Sequence, residues 1–321
     1  MEFSLTHRLK MKAYELGLSD IGIARAELLN EEGNHLREWF TRGYHASMQW
    51  LERDVEKRLD VTKVLPDAKS VICVALNYYT PAQHSNIPVL GKISRYAWGD
   101  DYHHVLTKRL EQLYEFIKSE IPSVIGKIYV DTGPVMDKAW AARAGIGWIG
   151  KHTNIITRKF GSWVFLGEIL IDAELEYDTP MLDYCGKCTA CLDACPTQAI
   201  VQPYVLDANK CISYLTIEHR GELPKEIVPN FQNWIYGCDI CQDVCPWNRF
   251  QSETNEPAFQ PREENVAPKL IDLAEMSQEE FNRRFRGSPM KRTKHFGLTR
   301  NAKSVLESFE DKAHLIKNDK Q

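Results

Sequence analysis

The sequence lacks the long hydrophobic runs and leader signals that direct a chain into or across a membrane. Its first twelve residues contain no apolar core of signal-peptide length and no pair of adjacent arginines. The longest strongly apolar run, Val71 to Leu76, is far shorter than the roughly 20 residues that span a bilayer. We therefore expect a cytoplasmic protein with no membrane attachment.

A strong net charge and a biased composition are also absent. Hydrophobic residues make up 43% and charged residues 26% of the 321 residues, and the formal net charge is −4. These values argue against a disordered, collagen-like or coiled-coil chain. The length suits one large core plus a smaller module. No apolar seam indicates a dimer, so we expect a monomer with more than one domain.

Acidic residues are missing from one stretch near the C-terminus. Between residues 281 and 306 there is no Asp or Glu. The basic residues of that stretch are Arg283, Arg284, Arg286, Lys291, Arg292, Lys294, Arg300 and Lys303. Most charge runs are solvated helix faces, but binding to a phosphate backbone requires local positive potential. The basic stretch is therefore a candidate nucleic-acid contact despite the negative net charge.

Apolar periodicity predicts interleaved helices and strands up to residue 175. The predicted helices lie near 5–16, 105–121 and 137–144, and the predicted strands at 20–24, 71–79, 127–130 and 162–171. Interleaving of this kind indicates a domain with a central sheet. We expect an α+β protein with an N-terminal α/β domain over 1–177, a turn-rich cysteine module over 178–250 and a helical, basic segment over 251–321.

Cysteine is present at metal-ligand spacing. Four cysteines and a proline have the spacing of a bacterial ferredoxin motif: Cys185-x-x-Cys188-x-x-Cys191-x-x-x-Cys195-Pro196. Three more form the same motif with one ligand missing: Cys238-x-x-Cys241-x-x-x-Cys245-Pro246. Cys211 lies upstream as the replacement. In a reducing compartment, closely spaced cysteines favour metal binding over disulfides.

These eight cysteines suffice for two [4Fe–4S] clusters. The crossover rule assigns Cys185, Cys188, Cys191 and Cys245 to one cluster, and Cys195, Cys211, Cys238 and Cys241 to the other. A pair of zinc ribbons is the alternative, although zinc sites favour two separated cysteine pairs. Cys73, alone in an apolar strand, is expected to be a packing residue. Such clusters transfer single electrons, so the preceding domain must hold something to be reduced.

Three further segments stand in one order with the cluster motifs. They are RYAWGDDYH at 95–103, VDTGP at 130–134 and RAGIGWIGK at 143–151. Together with the cysteines they resemble the epoxyqueuosine reductases, and the likeness spans residues 5–305. The resemblance implies that two [4Fe–4S] clusters pass electrons to cobalamin, bound as cob(II)alamin. The implied reaction reduces epoxyqueuosine at the wobble position of tRNA to queuosine, with loss of water.

The resemblance also implies site residues. Asp131, at a strand end in a Gly-Pro turn, is the expected proton donor and a cobalamin contact, although Asp-Thr-Gly is also common turn chemistry. The other expected cobalamin contacts are Arg58, Ile155, Leu166, Ser213, Cys238 and Asp239. Tyr102 is expected to line the pocket. Ser94 stands where some relatives carry cysteine, so an essential thiol is not expected there.

The implied partners are the anticodon arm of tRNA and an unidentified electron donor. The basic stretch is the first candidate RNA contact, with Phe285, His295 and Phe296 as residues that could stack on splayed bases. Residues 216–221 are the second candidate.

Two other functions fit part of the pattern. A reductive dehalogenase would use the same cofactors, but the missing twin-arginine signal and the basic stretch disfavour it. A non-enzymatic electron-transfer protein would carry clusters without a corrinoid. A domain as long as 1–177 is not needed merely to carry electrons.

Overall fold

The computed structural model describes residues 3–318, with side chains described through Phe309. The helices are α1 (Leu5–Glu15), α2 (Asn30–Thr41), α3 (Val55–Leu59), α4 (Tyr102–Glu120), α5 (Asp137–Arg143), α6 (Ala190–Ala194), α7 (Ile212–Ile217), α8 (Ile240–Asp243), α9 (Glu263–Val266), α10 (Leu270–Ala274), α11 (Gln278–Arg284) and α12 (Lys294–Asn318). The strands are β1 (Asp20–Arg25), β2 (Ser70–Asn77), β3 (Lys92–Ile93), β4 (Gly126–Tyr129), β5 (Trp148–Ile149), β6 (Ile155–Ile156), β7 (Val164–Ile171), β8 (Ile200–Gln202), β9 (Val205–Leu206) and β10 (Trp234–Tyr236). No helix within this range is long and apolar enough to cross a membrane.

Four strands form the central sheet, in the order β1-β2-β7-β4. Neighbouring strands are antiparallel throughout, and Cys73 of β2 lies opposite Gly22 of β1 and Glu168 of β7. The mixed α+β class is therefore confirmed, whereas the expected α/β type of the N-terminal domain is wrong, because that type requires parallel strands. Local sequence patterns locate strands but do not specify the direction in which they pair.

Helices cover both faces of the sheet. Leu9 of α1 and Leu113 of α4 share one buried core with Ile72 and Ile169. Trp140 of α5 belongs to the core on the opposite face. All eight residues of β2 are buried, which explains its continuous apolar pattern. Helix α2 was not expected from the sequence. It buries only Gly33 fully, and its apolar residues Leu36 and Trp39 are partly buried against two different cores.

A third core joins the segment around β3 to the cysteine-bearing region and the C-terminal helices. Strand β3 pairs in parallel with β10, and Trp98, Trp234, Phe285 and Leu298 are buried in one cluster. The C-terminal helices therefore pack on the cysteine-bearing region. The domain boundaries after residues 177 and 250 stay predictions.

Close approach of β1 to the end of α5 requires a glycine. A Cβ atom at Gly22 would lie 2.0 Å from the carbonyl oxygen of Ala144, the residue that follows α5. Backbone cannot yield as a flexible side chain can, so Gly22 permits the packing of α5 against the sheet. That packing matters because α5 begins at Asp137, which lines the cavity described below.

Substitution Gly22→Ala should lower the free energy of unfolding by about 1–3 kcal/mol, the usual cost of overpacking. Gly33→Ala is the matched control, because there the nearest atom is a flexible Cδ1 of Leu59, at 2.9 Å. Alanine is also favoured over glycine inside a helix. Denaturant unfolding of the cluster-loaded protein measures both variants, and an equal loss in the two would contradict this account.

Candidate active site

A cavity of about 480 Å³ lies between the central sheet and the cysteine-bearing region. This volume falls in the range of cofactor and small-molecule sites. Five of the expected cobalamin contacts line the cavity: Asp131, Ile155, Leu166, Ser213 and Cys238. Tyr102 lines it as well. The structure therefore brings together residues that are up to about a hundred positions apart in the sequence.

Four cysteines form a group that we call the outer thiol group: Cys185, Cys188, Cys191 and Cys245. Burial, followed by the thiols of Cys245, Cys185 and Cys188, raises the pKa of Cys191 to about 11. Burial also raises the pKa of Cys245, with further contributions from Cys185 and Cys188. The four side chains are therefore electrostatic neighbours, as the crossover rule expects.

The other four cysteines form the inner thiol group: Cys195, Cys211, Cys238 and Cys241. Burial, then the thiols of Cys211 and Cys195, raises the pKa of Cys241. Burial and then Cys241 raise the pKa of Cys238. The raised pKa values favour the protonated thiols in the absence of metal. Bound iron would reverse this preference, because a metal-bound thiol is deprotonated. The donor set of both groups fits two [4Fe–4S] clusters.

The two thiol groups occupy different depths. Cys188 of the outer group is exposed, whereas every member of the inner group lines the cavity. Cys191 of the outer group also contributes to the raised pKa of Cys241, so the groups are adjacent. The arrangement describes a route from the protein surface through the outer group to the inner group and the cavity.

Two expected cobalamin contacts, Arg58 and Asp239, are absent from the cavity lining. The guanidinium of Arg58 lies 5.6 Å from the ring centroid of Trp50. Asp239 is fully buried, and its carboxylate accepts hydrogen bonds from the Ser94 hydroxyl and, at 2.8 Å, from the backbone N–H of Arg95. Asp239 thus ties the loop that carries Cys238 and Cys241 to the N-terminal half of the chain.

An unpaired hydrogen-bond donor shows that the cavity can receive a polar group. His152 lines the cavity and is only 3% exposed. Its Nδ1 accepts the backbone N–H of Asn154 at 3.2 Å, so the ring proton lies on Nε2. That atom has no hydrogen-bond partner among the described residues. Buried donors are normally satisfied. An unpartnered Nε2–H beside the apolar lining at Ile155 and Leu166 suits a cofactor that presents both an apolar ring and polar substituents, such as a corrin.

Asp131 follows β4 and projects into the cavity. Its backbone is left-handed, with a φ of 56°, a conformation that Asp tolerates better than most residues and that often marks functional positions. The side chain is 61% exposed and accepts a hydrogen bond from the Tyr102 hydroxyl at 2.6 Å. Tyr102 is held in place by stacking on Phe165, with ring centroids 4.2 Å apart.

His103 is a site residue that was not expected from the sequence. Its Nδ1 lies 2.6 Å from Asp101 and its Nε2 lies 3.6 Å from Asp131. Burial alone would lower the pKa of His103, but the interactions of its ring N–H groups with the carboxylates of Asp101 and Asp131 outweigh burial and raise the pKa to about 9. The contact with His103 is also the main cause that lowers the pKa of Asp131. At neutral pH the proton therefore resides on His103 and Asp131 is a carboxylate.

The signal that could have identified His103 lies in the helix start. Asp101 is the N-cap of α4 and accepts the backbone N–H of His103. The side chain of His103 then folds back on the same carboxylate. We call Asp101, Tyr102, His103 and Asp131 the acid–base network.

The basic stretch divides into internal and exposed residues. Arg300 donates to backbone carbonyls of Leu215, His219 and Gly221, and Arg292 pairs with Glu218. Arg284 is also engaged within the protein, because its guanidinium donates a hydrogen bond to the carbonyl oxygen of Glu264. Exposed basic residues remain at Arg283, Arg286, Lys291, Lys294 and Lys303.

The expected aromatic and second RNA contacts are only partly accessible. Phe285 is fully buried and cannot stack on a base, whereas Phe296 is 61% exposed. His295 contacts the carbonyl oxygen of Met276 at 2.6 Å. Thr216, in the second candidate segment, is also fully buried. Amphipathic patterning alone did not separate these inward and outward faces.

Two thiol groups that lead from the surface to a cavity with an acid–base network define an iron–sulfur redox enzyme. Residues 58–132 match the family model described as epoxyqueuosine reductase QueG, and residues 184–248 match that of a 4Fe-4S double cluster binding domain. The chain belongs to the epoxyqueuosine reductase family. The resemblance inferred from the sequence motifs is thereby confirmed.

Similarity to individual relatives covers nearly the whole chain. The epoxyqueuosine reductase of Cellulophaga algicola is 49% identical over 293 residues, which are 91% of this chain and 95% of the relative. A crystal structure of epoxyqueuosine reductase with an epoxyqueuosine-modified tRNA-Tyr stem loop has a TM-score of 0.89 and 37% identity, covering 96% of this chain and 82% of that one. The Bacillus subtilis enzyme, solved with its catalytic aspartate loop swung out of the active site, has a TM-score of 0.89 and 35% identity, covering 98% of this chain and 84% of that one.

Substitution Asp131→Asn should lower the pKa of His103 from about 9 towards its ordinary value, because one of its two anionic partners is removed. The raised pKa also means that stabilisation by His103 is complete below about pH 6.5 and is lost as the pH rises through 9. Histidine-selective NMR titration measures the first effect, and unfolding between pH 6 and 10 measures the second.

Asp67→Asn is the matched control for this titration. Asp67 is exposed and has the same left-handed backbone, with a φ of 60°. A His103 pKa that is equal in Asp131→Asn and in the wild type would show that the two side chains do not interact.

Proposed function

We propose that this chain reduces epoxyqueuosine in tRNA to queuosine, the reaction for which its family is named. The observation that supports this most directly is the cavity itself, which has the inner thiol group in its lining together with Asp131 and Tyr102. Thiols that can hold a cluster and groups that can hold protons thus line the same cavity. Conversion of the epoxide to an alkene consumes two electrons and two protons and releases one water.

Two [4Fe–4S] clusters and cobalamin are the cofactors of the proposed reaction. We assign the outer and inner thiol groups as the ligands of the two clusters. Bound cobalamin would supply a low-valent cobalt centre for electron delivery to the epoxide. We assign Ile155, Leu166, Ser213, Cys238 and Asp131 as its contacts within the cavity, with the Nε2–H of His152 as a donor to one of its polar groups.

Arg58 and Asp239 act from outside the cavity lining in this proposal. Asp239 positions the loop of the inner thiol group through Ser94 and Arg95. The guanidinium of Arg58 keeps a buried Nε without a partner among the described residues, so it can still reach a polar group of the cofactor.

The acid–base network supplies a proton to the epoxide oxygen. Asp131 accepts the Tyr102 hydroxyl and lies beside the protonated His103. Because Asp131 is a carboxylate at neutral pH, the proton that reaches the oxygen comes from His103 and passes through Asp131 or Tyr102, and Asp101 holds His103 in place. General acid catalysis of this kind contributes about 10²–10⁴-fold to a rate.

The tRNA partner binds on the exposed part of the basic stretch in this proposal. The relative solved with a tRNA stem loop carries its substrate on the same fold. Lys291, Lys294 and Lys303 are free to contact phosphates, and Phe296 is exposed for stacking. The electron donor would meet the outer thiol group near Cys188. Because the substrate is tRNA, we place the reaction in the cytoplasm, and we expect the chain to act as a monomer.

Substitution Asp131→Asn should reduce formation of queuosine by about 10²-fold or more, because the network can no longer pass a proton to the epoxide oxygen. The assay uses anaerobic holoenzyme with an epoxyqueuosine-containing tRNA stem loop and detects the nucleoside by mass spectrometry. Asp67→Asn, the control with the same backbone conformation, should retain wild-type activity. Wild-type holoenzyme that forms no queuosine would overturn the proposed function, whereas a fully active Asp131→Asn variant would overturn only the role of Asp131.

The double substitution Lys291→Ala with Lys294→Ala should weaken tRNA binding and reduce the salt dependence of the affinity. Each lost phosphate contact lowers the slope of log K against log salt by about 1. Lys118→Ala, on α4 away from the basic stretch, serves as the control. Fluorescence anisotropy at several salt concentrations gives the slopes, and an unchanged slope in the double variant would exclude this surface.

A further inference from the structure

The proposed reaction needs two protons, and the acid–base network accounts for one. Breaking the first C–O bond of the epoxide requires a proton on the oxygen. Breaking the second C–O bond requires another, so that the oxygen leaves as water and the C=C bond forms. The two electrons would be supplied by the iron–sulfur clusters and the cobalamin of the proposed function. This inference rests on the proposed function, and it concerns the source of the second proton.

Glu168 is a buried acid whose carboxyl oxygens have no hydrogen-bond donor among the described residues. Glu168 lies on β7, opposite Cys73 of β2 and Tyr129 of β4, and it is 0% exposed. Among the described residues, no N–H or O–H group donates to either of its carboxyl oxygens. An ionised carboxylate in that position would be strongly destabilising. The geometry therefore requires Glu168 to be neutral or to share a proton.

The neighbour that shares the proton is Asp137, which lines the cavity at the start of α5. Helix α5, which carries Asp137, packs against β7, which carries Glu168, and the charge of Asp137 is the largest contribution after burial to the raised pKa of Glu168. Two carboxyl groups that share a buried site cannot both ionise, so one of them carries a proton. We call Asp137 and Glu168 the buried acid pair.

The charged surroundings do not remove this proton. The titratable groups that face the pair are Asp131, Lys138, Arg58 and Cys73. Burial, followed by the charge of Asp131, raises the pKa of Asp137 to about 6 against the opposing effect of Lys138 and Arg58. Burial and then Asp137 raise the pKa of Glu168 well above its ordinary value. The Nζ of Lys138 instead donates to Asn154, at 2.9 Å.

The same cavity carries an independent sign of a bound polar ligand. His152 presents an unpartnered Nε2–H to it while being 3% exposed. The buried acid pair is therefore adjacent to a cavity that can bind a polar group, through Asp137 in the cavity lining.

We propose that Asp137 donates the second proton of the epoxide reduction and that Glu168 holds this proton beforehand. In the first half of the reaction the acid–base network protonates the oxygen as the first C–O bond breaks. In the second half the shared proton passes from Glu168 to Asp137 and from Asp137 to the resulting hydroxyl, which leaves as water as the C=C bond forms. The pair then regains one proton from water in the cavity. Asp137 is the catalytic residue and Glu168 a positioning residue.

The first test compares single-turnover rates of reduced holoenzyme variants on an epoxyqueuosine-containing tRNA stem loop. Asp137→Asn should slow queuosine formation by about 100-fold. In Glu168→Gln the amide donates to Asp137 and favours its ionised form, so the fall in rate at alkaline pH should begin at a lower pH than in the wild type. Glu174→Gln, an exposed acid that follows β7, should leave both rate and pH profile unchanged.

The second test reads the shared proton without turnover. Infrared spectroscopy of the wild-type holoenzyme should show a protonated-carboxyl C=O band that shifts in D₂O and is lost in Glu168→Gln. Cluster and cobalamin absorption spectra check that each variant is folded and loaded. The proposal is overturned if the wild type lacks the band, or if folded Glu168→Gln has the pH profile of the wild type. In either case, queuosine formation by the wild type still upholds the proposed function. A wild-type holoenzyme that forms no queuosine overturns the function and this role with it.

Discussion

The rest of the structure depends on one constraint: the four thiols of the inner group, which are far apart in the sequence, must come together in the lining of the cavity. Cys195 ends the helix α6, Cys211 precedes α7, and Cys238 and Cys241 flank the start of α8. Their convergence requires a shared core between the cysteine-bearing region and the C-terminal helices. It also requires the hydrogen bond that the Ser94 hydroxyl donates to the Asp239 carboxylate, because this bond joins the cysteine-bearing region to the N-terminal half.

Separation of electrons and protons follows from this placement. The inner thiol group occupies one part of the cavity lining, and the carboxyl and hydroxyl groups that can hold protons belong to the β4–α5 loop, α4 and β7. Low local polarity strengthens every charge interaction there. Burial raises the pKa of Asp137 and Glu168 and by itself lowers the pKa of His103. His103 nevertheless stays charged, because it lies between the carboxylates of Asp101 and Asp131. Opposite protonation states arise from neighbours, not from residue type.

Prediction from the sequence succeeded where chemistry depends on spacing along the chain. The cysteine spacing over residues 185–246 predicts two [4Fe–4S] clusters, and residues 184–248 match a 4Fe-4S double cluster binding domain. The division of the cysteines between the clusters and the role of Asp131 stay predictions. Prediction failed where the answer depends on which face of an element is covered. Phe285 is a core residue although it stands in a basic run, and the side chain of Asp239 faces Ser94 instead of the cavity.

By itself the sequence determined the cluster chemistry, the family and the order of helices and strands, because ligand spacing and apolar periodicity are local properties. Tertiary structure alone decided the antiparallel pairing of the sheet, the depth of each thiol group and the protonation of His103, Asp137 and Glu168. Those properties depend on burial and on neighbours brought from distant segments. Glu168 shows the difference most clearly, since nothing in the sequence VFLGEILI distinguishes a buried, proton-sharing acid from a solvent-exposed one.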